Sequence, residues 1–286
     1  MIALDDVSKL YATGAFGSKQ LAAVRNASFA VRPGEVVALI GESGSGKSTI
    51  GRMILRLSPV TSGRITVDGD DISALRGDAL KAYYRRVQGV FQDPFSSYNP
   101  IFKADRVFKL IRHEYHGELS DAAWRSKLTE SLEAVSLNPA EVLGKFPHQL
   151  SGGQLQRLLV ARALLLDIDY LVADEIISML DASTRIDVLN LLAELKQRGL
   201  GILFITHDLS LGNYISDTTV ILRRGSIVEI GATEKVFGDP RHPYTQALLA
   251  SVPQLGVRWS PETDGRGDPP ADAALVEIER DHLAAV

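Results

Sequence analysis

The chain of 286 residues is 45% hydrophobic and 23% charged, proportions of an ordinary globular protein with enough apolar material for a sizeable core. Its formal net charge of -4 argues against a nucleic-acid binder, whose affinity leans on concentrated Lys and Arg. Having no cysteine, it cannot carry a disulfide framework, a thiolate zinc site, a cysteine-ligated iron–sulfur cluster or a cysteine nucleophile.

Met1 to Leu10 lacks the basic start and apolar run of a signal peptide, and no stretch is apolar enough for long enough to cross a bilayer, so any membrane role is expected to be peripheral. Ile2 to Tyr11 reads as an edge strand, Ala12 to Lys19 as a loop, and Ala27 to Val31 as a strand before the turn Arg32-Pro33-Gly34. Val36 to Ile40, short and almost wholly apolar, predicts a buried central strand. A glycine-rich turn, Gly41 to Lys47, and an apolar-periodic helix, Ser48 to Leu57, come directly behind it, followed by a short strand at Arg64 to Val67. From Asp93 to Leu150 a mostly helical insert is expected, with Trp124 to Leu137 its clearest helix and Pro94, Pro100, Pro139 and Pro147 its interruptions.

A long helix, Gln154 to Leu166, then leads into a second buried strand, Tyr170 to Ala173. Ile186 to Arg198 predicts an amphipathic helix, Ile202 to Thr206 a third buried strand, and Thr219 to Arg223 with Ile227 to Ile230 a hairpin through Gly225. Beyond Gly238 a short helix at Tyr244 to Ser251 is expected, and from Pro261 onward a mobile or only locally helical tail. Strands alternating with helices favour a layered α/β core.

Gly41-Glu42-Ser43-Gly44-Ser45-Gly46-Lys47-Ser48 matches GxxxxGK[ST] in the strand–turn–helix setting that the motif needs. Glycines let backbone amides curl around phosphate oxygens, and the following helix aims its unpaired amides at the anion. Gly41, Ser43, Gly44, Ser45, Gly46, Lys47, Ser48 and Thr49 are therefore the expected nucleotide contacts. Lys47 would reach the β and γ phosphates of ATP, and the Ser48 hydroxyl would be a ligand of its Mg²⁺. Asp174, at the end of an apolar strand, is suited to the same Mg²⁺, and Glu175 to orienting and deprotonating the attacking water. His207 follows another buried strand; it would sense the γ phosphate, or else cap the turn before Asp208.

Leu150-Ser151-Gly152-Gly153-Gln154-Leu155-Gln156-Arg157 resembles the LSGGQxQR signature of the nucleotide-binding subunits of ABC transporters, and the resemblance runs from Ile2 to about Pro253. It implies a P-loop NTPase core with an antiparallel β subdomain and an inserted helical subdomain. The expected bounds are 1–92 for the β subdomain and first part of the core, 93–157 for the insert, 158–238 for the second part, and 239–286 for a C-terminal extension. In that family Ser151, Gly152, Gly153 and Gln154 would meet the γ phosphate of ATP bound to the opposite subunit. By the same resemblance Tyr11 would stack on adenine, Gln92 would link Mg²⁺ and water to the transmembrane contact, and Asp181 would cross the dimer interface.

Gln92-Asp93-Pro94, Ser97-Tyr98-Asn99-Pro100 and Pro240-Arg241-His242-Pro243-Tyr244-Thr245 look like the oligopeptide and dipeptide importer branch, which also includes importers of oligosaccharides and metal complexes. Implied partners are a second, distinct ATPase subunit, two transmembrane permease subunits and an extracellular solute-binding protein, with the chain on the cytoplasmic face of the membrane and no nucleic acid involved. Ile176 and Ile177 stand where the family usually has Pro and Thr, and Met179 where it has Ala. Both carboxylates and Asp181 remain, so hydrolysis is expected; the alternative is a hydrolysis-poor regulatory subunit.

Overall fold

The structure, a computed structural model, describes residues 1–13, 19–178, 180–251 and 275–285. It divides into two compact units, one of Met1–Leu75 with Gly201–Val286, the other of Arg76–Leu200.

The first unit begins with β1 (Ile2–Thr13), β2 (Lys19–Val31), β3 (Val36–Ile40), α1 (Lys47–Ile54), β4 (Ser62–Val67) and β5 (Asp70–Asp71). β1 pairs antiparallel with both β2 and β4 in a sheet of order β2-β1-β4-β5, so it is an interior strand and not the edge strand expected. The uneven alternation behind that expectation comes from register shifts between Leu4 and Lys9, where Asp6 takes a left-handed φ of 49°. Such bulges shift the inward face without ending the pairing. β2 starts at Lys19, well before Ala27, because its first residues pair back across Tyr11 to Thr13. α1 stops at Ile54, three residues short of expectation, where Arg56 turns left-handed at φ 56°.

The second unit holds α2 (Gly77–Arg86), β6 (Val87–Val90), α3 (Arg106–Tyr115), α4 (Asp121–Glu133), α5 (Pro139–Val142), α6 (Gly152–Leu164), β7 (Tyr170–Asp174) and α7 (Ala182–Gln197). β6 and β7 pair in parallel, Val87 opposite Tyr170 and Val90 opposite Ala173. Sequence reasoning missed β6: four residues containing Gly89 are too short to show a period. It also missed α2, whereas α3, α4 and α5 fall inside the mostly helical insert expected from Asp93 to Leu150. α7 begins four residues before Ile186 because Asp181 caps it.

The chain then returns to the first unit with β8 (Gly201–Thr206), α8 (Leu209–Ile215), β9 (Thr218–Arg223), β10 (Ser226–Ala232), α9 (Thr233–Gly238), α10 (Pro243–Ala250), β11 (Leu275–Glu279) and β12 (His282–Ala285). Within this unit the strands run β11-β12-β10-β9-β3-β8, with β3 parallel to both β8 and β9 and the remaining pairs antiparallel. β3 and β8 are buried along their whole length, which is why both are continuously apolar. Ala38, Ile40, Leu209, Ile221, Val228, Val236 and Tyr244 form one apolar cluster behind them.

The expectation of a mobile or locally helical tail is corrected for residues 275–285, which form the β11–β12 hairpin on the free edge of β10. The remainder of that stretch, and Pro253, lie outside the described residues. Among the described residues no helix is long and apolar enough to cross a membrane.

Candidate active site

In the first unit, Ile40 of β3 lies opposite Thr206 of β8 in a parallel pair, so Gly41 and His207 leave the sheet at the same end. The carboxyl ends of parallel strands are where α/β sheets bind ligands. Only glycine fits at two points of the turn that follows. A Cβ on Gly41 would stand 2.1 Å from the Leu222 carbonyl oxygen, and one on Gly46, at φ 108°, would stand 2.3 Å from that of Ala23. Gly46 is also the N-cap of α1 and offers no side-chain cap, and a helix start favours an anion.

Lys47 is buried and folds its ammonium back onto the turn, donating to the carbonyls of Gly41 at 2.7 Å and Glu42 at 2.8 Å. The Glu42 carbonyl also accepts the Ser45 amide at 3.1 Å, and the Ser45 carbonyl accepts the Gly225 amide at 2.9 Å. Ser45 Oγ is buried without a hydrogen-bond partner. A buried hydroxyl left without a partner is costly, and a phosphate oxygen in the turn would satisfy it. Ser48 and Thr49 are half-buried in the first turn of α1, while Ser43 and Gly44 are exposed.

His207 is exposed, and the capping role open to it falls instead to Asp208, whose carboxylate accepts the amides of Ser210 at 3.0 Å and Leu211 at 3.2 Å. Tyr11 sits on β1 opposite Leu21, with the Lys9 ammonium 4.9 Å from its ring centre.

In the second unit, the register of β6 with β7 sends Gln92 and the pair Asp174-Glu175 out of the same end. Gln92 is exposed, Asp174 buried and Glu175 half-buried. Glu175 takes a left-handed φ of 51°, a conformation that costs a non-glycine residue about 1–3 kcal/mol and that clusters at functional sites. Ile176 and Ile177 are buried, and the turn they occupy keeps its bonds: Ser178 donates from both its amide and its hydroxyl to the Glu175 carbonyl. Arg185 closes the turn by donating to the carbonyls of Leu180 at 2.8 Å and Ser178 at 3.2 Å. Met179 lies outside the described residues.

Ser151 and Gln154 form a reciprocal capping box at the start of α6: Ser151 Oγ accepts the Gln154 amide at 3.2 Å, and Gln154 Oε1 accepts the Ser151 amide at 2.9 Å. Asp181 does the same service for α7, accepting from Ser183 Oγ at 2.6 Å, the Thr184 amide at 3.0 Å and Thr184 Oγ1 at 2.8 Å. The Ser183 hydroxyl first, and then Thr184, hold the Asp181 carboxyl well below the usual range. The two helix starts meet at Gly153, whose absent side chain makes room for Thr184, and Gly152 faces the Phe95 ring. Ser151 to Gln154, Asp181 and the loop behind Gln92 thus converge.

Sequence reasoning missed the groups that hold this convergence. Arg162 donates to the Gly89 carbonyl at 2.8 Å, Gln156 to that of Phe91 at 3.5 Å, and the Tyr98 hydroxyl to that of Leu155 at 3.4 Å. All three tie α6 to the segment around Gln92. Burial pushes the Tyr98 phenol far up, so it stays a donor. Gln156 and Arg162, on either side of the apolar run Leu158 to Ala161 of α6, were the available signal.

Comparisons with known proteins follow the same lines. The ABC transporter family profile matches residues 24–178, and that of the oligopeptide/dipeptide transporter C-terminal region matches residues 228–277. The chain is 42% identical over 250 residues to a putative peptide import ATP-binding protein of Brucella ovis, covering 87% of this chain and 76% of the relative. It is 40% identical over 279 residues to the oligopeptide transport ATP-binding protein OppF of Streptococcus pyogenes serotype M1, covering 93% and 90%. Among solved structures, a dimeric bacterial ABC transporter cassette superposes with a TM-score of 0.73 at 29% identity, covering 82% of this chain and 99% of the cassette.

Proposed function

The chain belongs to the ABC transporter family, and from that membership we propose that it is the ATP-hydrolysing subunit of an importer of oligopeptides. The observation that carries the reading is the phosphate turn itself: glycine where nothing else fits, a lysine folded onto its carbonyls, and a buried Ser45 hydroxyl awaiting an acceptor. Peptide cargo is supported by the match at residues 228–277 and by the names of the relatives.

In this reading the amides of the turn and of α1 cradle the phosphates while Lys47 exchanges its carbonyl contacts for β and γ oxygens. Glu175 activates the attacking water, His207 senses the γ phosphate, Gln92 orients the water near it, and Tyr11 stacks on adenine. Ser48, Asp174 and Gln92 are the residues that would hold Mg²⁺, which when bound neutralises charge developing on the phosphates. Mg²⁺ keeps most of its shell from water and nucleotide, so one or two protein oxygens fit it. Residues 93–157 act as the inserted helical subdomain, 1–92 and 158–238 as the two parts of the core, and 239–286 as the extension.

Ser151, Gly152, Gly153 and Gln154 face the γ phosphate of ATP held by a second ATPase subunit, a distinct paralogue, with Asp181 at the boundary. Closure of that pair rearranges two transmembrane permease subunits at the cytoplasmic face of the membrane, and hydrolysis resets them. An external binding protein delivers the peptide. A regulatory, hydrolysis-poor role is motivated by Ile176 and Ile177, but their burial and the intact bonds of their turn favour hydrolysis. The test is ATP turnover of the assembled transporter carrying Lys47→Ala here, with the partner's own site disabled; undiminished turnover would overturn the assignment.

A further inference from the structure

Glu229 of β10 is wholly buried, yet its carboxylate collects three donors. Oε1 accepts the Arg241 amide at 2.8 Å and His282 Nε2 at 2.7 Å, and Oε2 accepts the His242 amide at 3.0 Å. A buried charge is tolerated only when saturated in this way. The effect is to fasten the bend between α9 and α10 to β10 on one side and to the β11–β12 hairpin on the other. From the bend, His242 Nδ1 accepts the Tyr244 amide at 3.0 Å and so caps α10. That acceptor role requires a neutral imidazole, and burial, which holds the His242 pKa below the usual value, favours one.

Tyr244, the second residue of α10, is buried, with the Arg223 guanidinium carbon 4.4 Å from its ring centre. Its hydroxyl accepts the Glu42 amide at 3.4 Å. That amide belongs to the peptide joining Gly41 to Glu42, whose carbonyl, that of Gly41, takes the Lys47 ammonium at 2.7 Å, while the carbonyl of Glu42 itself takes both the Ser45 amide and the same ammonium. The amide of Glu42 is therefore spent on holding the loop's first turn from behind.

We infer that Tyr244 is a positioning residue of the phosphate loop: its hydroxyl fixes the Gly41–Glu42 peptide, and through the Gly41 carbonyl the starting place of Lys47, from a helix anchored through Glu229 to the C-terminal hairpin. This rests on the reading of the loop as an ATP site. It gives the segment 240–245 a task in nucleotide binding and not only in packing.

The test is Tyr244→Phe, which keeps the ring over Arg223 and removes only the hydroxyl. ATP binding to the full chain by calorimetry, the ATP dependence of turnover in the assembled transporter with the partner site disabled, and the melting temperature without nucleotide are measured together. One lost neutral hydrogen bond predicts a Kd and KM for ATP raised about three- to tenfold, saturated turnover within about twofold, and a melting temperature within about 3 °C. An unchanged KM and Kd overturns the inference, and so does a lowered melting temperature with reduced maximal turnover at unchanged KM, the pattern of a packing role. Lys47→Ala separates the two levels. If it abolishes ATP binding while Tyr244→Phe changes nothing, only the role of Tyr244 falls; if it binds ATP normally, the ATP reading of the loop falls and this inference with it.

Discussion

Gly153 and Thr184 leave no room for a β-carbon between them: one placed on Gly153 would stand 2.6 Å from Thr184 Cγ2. Thr184 in turn gives its amide and its hydroxyl to Asp181. The start of α6 and the Asp181 loop are therefore one packed unit, and a shift in either displaces the other.

Gly153→Ala ordinarily gains helix propensity, about 1 kcal/mol. Here it should instead push Thr184 off Asp181 and lower ATP turnover of the assembled transporter by about tenfold, a coupling of ~1.4 kcal/mol. Thr184→Ser removes Cγ2 while keeping the hydroxyl, so the double variant Gly153→Ala, Thr184→Ser should recover most of the loss. Steady-state turnover of the single and double variants checks this, and additive effects would disprove the coupling.

Lys47→Ala removes the cation that meets the β and γ phosphates. ATP affinity of the full chain should fall at least about thirtyfold, the ~2 kcal/mol expected of hydrogen bonds to charged groups. Calorimetric titration with ATP reads it directly.

Glu175→Gln keeps the shape of the left-handed turn and removes the base. Hydrolysis should drop by about 10²–10⁴ while ATP affinity stays within about threefold. Binding and single-turnover hydrolysis measured on the same preparation distinguish this from a loss of nucleotide binding, which would refute the role.

The Asp181 carboxyl is held below its ordinary value of 3.8 by Ser183 and Thr184, so the ionised form is favoured on folding. The contribution is complete at neutral pH, begins to be lost as pH falls below about 5, and is gone once pH passes the folded value. Protection of the first-turn amides of α7 should therefore decline with acid in the wild type. In Asp181→Asn it should be lower at neutral pH and flat with pH across that window, as hydrogen exchange would measure.

The features legible in the sequence were those set by local rules. A glycine spacing before a helix announced the phosphate turn, and continuous apolar runs announced β3, β7 and β8. β1 was misjudged because its bulge breaks the alternation that separates interior from edge. The hairpin of β11 and β12 was hidden behind a stretch rich in Asp, Pro, Gly and Ala, although Glu277 and Glu279 alternate with Val276 and Ile278. Tyr244 could not be connected with Glu42 in advance, since their hydrogen bond spans 202 residues and depends on the whole sheet lying between. Ser151 illustrates a mixed case: the capping box was readable as S-x-x-Q, but the convergence of its loop with Thr184 was not.

The most direct test is the structure of the assembled transporter trapped with ATP by Glu175→Gln. The Ser151 hydroxyl and the first amides of α6 should lie within hydrogen-bond distance of the γ phosphate of ATP held by the second ATPase subunit. A trapped complex with both nucleotides bound and Ser151 remote from either terminal phosphate would contradict it.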